Sequence, residues 1–75
     1  MQELIEYVAK SLVDDPTQVE VEQHLERGRI RFELIVADED KGRVIGRGGR
    51  VANAMRALLR VSATQHGTRA TLDIP

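Results

Sequence analysis

The sequence predicts a small α+β domain in which three helices cover one face of a three-stranded sheet, in the order αββααβ. Three observations carry this. Apolar residues recur at helical spacing near the start of the chain and again after residue 50. Two-residue alternation fills the stretch from 19 to 36 and returns over 70–74. No repeat, linker or low-complexity segment interrupts the 75 residues, so 1–75 reads as a single domain.

The elements follow in order. Leu4, Ile5, Val8, Leu12 and Val13 form an apolar stripe with Glu3, Glu6 and Lys10 between them, and Asp14-Asp15-Pro16 closes this helix because proline cannot continue it. Val19, Val21 and Leu25 then alternate with Glu20, Glu22 and His24, as a half-buried strand does. Glu26-Arg27-Gly28 makes a tight turn into a second alternating run, with Ile30, Phe32, Leu34 and Val36 on one face. Asp38 or Asp40 is suited to cap a short helix that ends near Ile45. From Arg50 onward, Val51, Ala54, Met55, Leu58 and Leu59 form a second apolar stripe, with Asn53, Arg56 and Arg60 on the opposite side. His66-Gly67 ends that helix, and Ala70, Leu72 and Ile74 alternate as a last strand.

A chain of this size buries only about 60% of its unfolded surface, so its core is marginal, and small scaffolds commonly gain stability from a staple or a partner. Cysteine is absent, which removes disulfides and thiolate metal sites and fits a reducing compartment. The acidic start, Met1-Gln2-Glu3, leads into an amphipathic segment rather than a signal peptide, and no apolar run approaches the roughly 20 residues of a membrane span. The expectation is a soluble cytoplasmic protein without membrane insertion, helped by self-association. The net charge of −1 hides a split. Residues 1–40 carry eleven acids against four bases, or −7, whereas residues 41–75 carry seven bases against Asp73 alone, or +6. The stretch from Lys41 to Leu72 contains no acid at all, and such a one-sided field steers anionic partners even when the net charge is small.

At the centre of the basic part lies Val44-Ile45-Gly46-Arg47-Gly48-Gly49-Arg50, with three glycines in four positions and arginines on either side. Local structure gives no evident need for so many glycines, so close approach of an anion to the main chain is the leading explanation. A dinucleotide fingerprint fails, since Val51 stands where its third glycine belongs and the turn follows a helix. A Walker A loop fails for want of Gly-Lys-Ser/Thr. What remains is G-x-x-G between two helices, Gly46 to Gly49.

Gly42-Arg43-Val44-Ile45-Gly46-Arg47-Gly48-Gly49-Arg50 between two helices of an αββααβ chain resembles the KH domain in its type II form. The resemblance covers essentially the whole chain and extends to the small bacterial stand-alone KH proteins of the KhpA (YlqC-like) family. It implies that the loop clamps the backbone of about four single-stranded nucleotides. Gly46 and Gly49 match the family's glycines, and Arg47 matches the usual basic residue between them, placed to pair with phosphate. Lys41 and Arg50 are supporting charges. The N–H groups opening the next helix at Gly49, Arg50 and Val51 are expected to face an anion. Val44 or Ile45, with Ile35 or Val36 opposite, would form an apolar floor for bases. Gly48 departs from the pattern, in which a polar or charged residue is usual, and removes one contact. The expected RNA-binding residues are Lys41, Arg43, Ile45, Gly46, Arg47, Gly48, Gly49, Arg50 and Asn53.

Other features read more simply. Gly42 is a packing glycine, Arg56 and Arg60 are solvated, Tyr7 and Phe32 pack in or at the edge of the core, and His24 and His66 fill surface or turn positions. Two isolated aromatics cannot build the stacking surface of an RRM or OB-type module. No hydroxyl–His–acid set or metal-ligand cluster emerges from the spacing, so neither an enzyme nor a cofactor is expected. The leading function is non-catalytic binding of single-stranded RNA with modest affinity. The resemblance adds a role as post-transcriptional regulator or RNA chaperone, with cell division, cell shape and envelope homeostasis downstream. The alternative is a protein-assembly module, a homodimer or a heterodimer with a KhpB/Jag-like partner, for which Val61 and Ile35 are candidate apolar contacts.

Overall fold

The αββααβ order is realised in the computed structural model, which describes residues 1–75. Helix α1 (Gln2–Leu12) precedes strands β1 (Glu20–Glu26) and β2 (Arg29–Ile35). The short α2 (Lys41–Ile45), the long α3 (Arg50–Gln65) and strand β3 (Ala70–Asp73) follow. β1 pairs antiparallel with β2 from Glu20↔Ile35 to Glu26↔Arg29, and β3 lies parallel along the other edge of β2, from Ile30↔Ala70 to Glu33↔Asp73. A parallel pair needs a long crossover. Here α2, the glycine loop and α3 supply it, which places the loop at the end of the molecule where β2 and β3 finish.

The core joins Ile5 and Ala9 of α1 to Phe32 and Leu34 of β2, Val44 of α2, Met55 and Leu59 of α3, and Leu72 of β3. Apart from Ala9, each of these side chains contributes about 1.5–3 kcal/mol on burial. Phe32 packs inside as expected, but Tyr7 is 74% exposed on α1. Leu25 is exposed as well. Its strand alternation is correct, yet Leu25 pairs with Ile30 at the hairpin tip, beyond the reach of the helices.

The stripe of α3 is rotated from the expected one. Ala52, Met55, Leu59 and Ala63 are buried, whereas Ala54 is exposed, Leu58 is 49% exposed and Val61 is 59% exposed. The expected stripe was too wide for one contact line. Small alanines at 52 and 63 let the helix sit close to the sheet, which turns Ala54 and Leu58 outward.

Neither Asp38 nor Asp40 caps a helix with its side chain. Asp40 is buried, and its two carboxylate oxygens accept the backbone N–H groups of Asp14 and Asp15, each at 3.2 Å. It ties the end of α1 to the start of α2. Asp15 caps the Pro16–Gln18 turn by accepting the Thr17 N–H.

Candidate nucleic-acid interface

α2 ends at Ile45, and the chain turns through a single 3₁₀ turn, Arg47–Gly49, into α3. Gly46 has φ 78° and ψ 169°, a backbone region that only glycine adopts readily. A Cβ there would lie 2.6 Å from Val51 Cγ2 and 2.9 Å from Val51 N. Gly48 and Gly49 have φ of 64° and 79°. The reading that the glycines answer no local need is therefore corrected: each sits at positive φ, and Gly46 also allows α3 to start against the end of α2. Gly48 faces open space, with no atom within 4 Å of a Cβ position.

The backbone donors of the loop are partly used within it. Gly49 N–H donates to Gly46 O at 3.1 Å and Arg50 N–H donates to Arg47 O. Anion affinity at this turn therefore rests on side chains more than on those two amides. The cations divide cleanly. Lys41 Nζ lies 3.1 Å from Asp38, and Arg43 Nη2 lies 3.0 Å from Asp14, with its Nε 3.7 Å from the buried Asp40. Arg47 and Arg50 are exposed and make no ion pair, so their charge is free for a ligand. Asn53 lies beside Gly49, and its Oδ1 accepts from Arg56 Nη1 at 3.2 Å.

Of the expected apolar floor, only Ile45 is available. Val44 is fully buried in the core, while Ile45 is 37% exposed beside the loop. Val36 is buried, and Ile35 shares the sheet face of Arg31 and Glu33, away from the helices, so neither stands opposite Ile45 as an exposed floor. Gly42 is exposed with nothing near its Cβ position, which corrects its reading as a packing glycine. Arg56 is not simply solvated either. Its Nε donates to the Leu72 carbonyl at 3.2 Å, which lays the side chain across from α3 to the free edge of β3.

The uncovered sheet face holds a cluster that spacing did not reveal, because its members come from two strands. Glu22, His24 and Glu33 bring one ligand atom each within 4.8 Å of one another. Glu33 is already neutralised by Arg31, whose pKa this hydrogen bond raises further, with help from Glu26 and Asp73. Arg31 thus already supplies Glu33 with the positive charge that a metal cation would bring. His66 Nδ1 lies 2.8 Å from the Ser62 carbonyl at the end of α3, the turn role expected of it.

Comparison with known proteins agrees with the fold. A family profile described as "KhpA/KhpB, KH domain" matches residues 2–74. The chain is 42% identical over 74 residues to the RNA-binding protein KhpA of Clostridium perfringens, covering 99% of both chains. It is 47% identical over 73 residues to the RNA-binding protein KhpA of Treponema pallidum, covering 97% of this chain and 91% of that one. With the protein of the same name from Caldanaerobacter subterraneus it shares 43% identity over 74 residues, 99% of each.

Proposed function

The chain belongs to the KhpA/KhpB KH-domain family, and on that premise we propose that it is a non-catalytic binder of single-stranded RNA whose glycine loop clamps the phosphate backbone. The observation that carries this reading is the pairing of Arg47 and Arg50, both exposed and free of carboxylates, with a loop whose three glycines, Gly46, Gly48 and Gly49, all stand at positive φ. Gly46, Gly48 and Gly49 keep the turn low and bare, Arg47 and Arg50 meet phosphates, Ile45 offers an apolar surface to a base, and Asn53 supplies amide hydrogen bonding. Lys41 and Arg43 take second place, since each must leave an acidic partner to contribute. The family resemblance suggests, by analogy, a cytoplasmic role in post-transcriptional regulation or as an RNA chaperone, which a clamp on the RNA backbone would suit.

The test is a salt titration of binding to unstructured RNA. Three or four clamped phosphates at ~0.7 each give a slope of log affinity against log salt of roughly −2 to −3. A slope near zero, or no binding at low salt, would refute the clamp.

A second reading is favoured by one observation. Ala54, Leu58 and Val61 stand exposed along a flank of α3 away from β3, an apolar line on the solvent side of the helix. We propose that this flank seats a second KH chain, as homodimer or with a KhpB/Jag-like protein. Two clamps in one assembly would raise avidity for one RNA. Sedimentation of the protein and its Val61→Glu variant tests it. A dimer that the charge disperses supports assembly, and a monomer at high concentration in both removes it.

A further inference from the structure

The two clefts in the surface are not at the glycine loop. They adjoin one another at the opposite end of α3, where the β1–β2 hairpin, the α3–β3 turn and the start of β3 meet, and they share Arg29 and Arg69. The cleft beside α3 has a volume of about 480 Å³ and is lined by Arg29, Arg60 and Arg69 together with Thr64, Thr68 and Thr71, with no carboxylate among its lining residues. Such a volume suits a small-molecule site, but the lining lacks the aromatic and apolar walls that such sites use. Guanidinium groups and hydroxyls suit a phosphate.

The charge on α3 leads into this cleft. Four of the chain's cations are compensated by carboxylates: Arg29, Arg31, Lys41 and Arg43. Among the others, Arg47, Arg50, Arg56, Arg60 and Arg69 follow one another from the loop, along α3, to the turn beyond it. Arg56 reaches the β3 edge at Leu72 and so marks the side of the helix that leads to the cleft, with Arg50 about 120° round from it at the loop end. Asn53, Arg60 and Thr64 lie on that same side by helical spacing, while Leu58 and Val61 lie on the other flank. From Arg50 to Arg60 the helix rises about 15 Å at ~1.5 Å per residue. The carboxyl end of a helix disfavours anions. Here, however, the Ser62, Ala63 and Thr64 carbonyls already accept the N–H groups of His66, Gly67 and Thr68.

We propose that the cleft bounded by Arg60 and Arg69 is a second phosphodiester site, which takes the RNA backbone after it has passed the glycine loop and run along the α3–β3 edge. The inference rests on the clamp reading and extends it: the loop holds about four nucleotides, and this cleft makes the footprint longer. Arg60 and Arg69 supply the charge, and the Thr68 and Thr71 hydroxyls supply further donors. Arg29, held by Glu26 at 3.1 Å, walls the cleft from the hairpin side.

The experiment compares tetrauridylate with decauridylate on the full chain, using wild type, the double variant Arg60→Gln with Arg69→Gln, and Lys10→Gln. Lys10 is an unpaired cation on α1, away from the row, and controls for general loss of charge. Two phosphate contacts at ~0.7 each should make the decauridylate salt slope about 1.4 steeper in wild type than in the double variant, close to sevenfold in affinity between 50 and 200 mM salt. Tetrauridylate binding should not change, and Lys10→Gln should change neither. Thr64→Lys, which adds a cation to the cleft, should steepen the decauridylate slope by about 0.7. Equal losses on both oligonucleotides, an equal loss in Lys10→Gln, or an unaltered decauridylate slope would overturn the second site while leaving the clamp standing. Failure of wild type to bind tetrauridylate at low salt would instead remove the clamp, and the second site with it.

Discussion

Replacing Gly46 by alanine should destabilise the protein far more than the same change at Gly48, two residues away. At Gly46 the backbone sits at φ 78°, ψ 169°, where a side chain costs about 1–3 kcal/mol. The new Cβ would also meet Val51 Cγ2 at 2.6 Å and Val51 N at 2.9 Å, and overpacking of this kind adds about 1–3 kcal/mol. The total is about 2–6 kcal/mol, a large part of the roughly 4–11 kcal/mol available to 75 residues. At Gly48 a Cβ meets nothing within 4 Å, so only the left-handed penalty of about 1–2 kcal/mol remains. Urea denaturation of Gly46→Ala, Gly48→Ala and wild type measures the difference directly. Adding Val51→Ala to Gly46→Ala should recover part of the loss, because Cγ2 goes but the Val51 amide stays. Equal destabilisation at the two glycines, or full recovery in the double variant, would refute the reasoning.

Two further outcomes follow from the turns that frame the loop. Asp40→Ala leaves the Asp14 and Asp15 N–H groups without their acceptor and should cost about 2–6 kcal/mol in urea denaturation, at about 1–3 per orphaned group. Asp40→Asn, which keeps one carbonyl acceptor, should cost less. The Asp15 carboxyl is held below its ordinary value near 3.8, chiefly by the Thr17 hydroxyl and also by the Gln18 amide and the Thr17 N–H. A depressed folded pKa stabilises above the ordinary value, and that contribution is lost as pH falls through the folded one. Carboxyl chemical shifts should show Asp15 titrating below pH 3.8 in wild type and closer to the ordinary value in Thr17→Val.

The layer order was legible because periodicity reports it. Alternation over 30–36 and helical spacing over 4–13 each admitted one element type, and proline or glycine marked the ends. What alternation cannot report is overhang, which is why Leu25 looked like core and is exposed at the hairpin tip. A stripe read from large side chains also misses alanine. Ala52 and Ala63 set the true contact line of α3, and that rotation exposes Leu58 and Val61. The glycine loop was legible as a motif, but its geometry was not: only the close approach of Val51 shows why Gly46 must be glycine. Arg47 and Arg50 stood out by position. The lesser availability of Lys41 and Arg43 depends on Asp14, Asp38 and Asp40, and the Asp14 contact crosses from one end of α1 to α2. Likewise Arg29, Arg60 and Arg69 gather only when β2, α3 and β3 come together, which no local pattern records.

The clamp itself is tested most directly by fluorescence anisotropy of a labelled unstructured RNA with Arg47→Asp/Gly48→Asp. Both positions are exposed, and aspartate tolerates the positive φ of residue 48 better than most residues, so the fold should persist by circular dichroism. The account predicts loss of binding in the folded variant, because two carboxylates then face the phosphates where one guanidinium stood. Wild-type affinity in a folded Arg47→Asp/Gly48→Asp protein would contradict it.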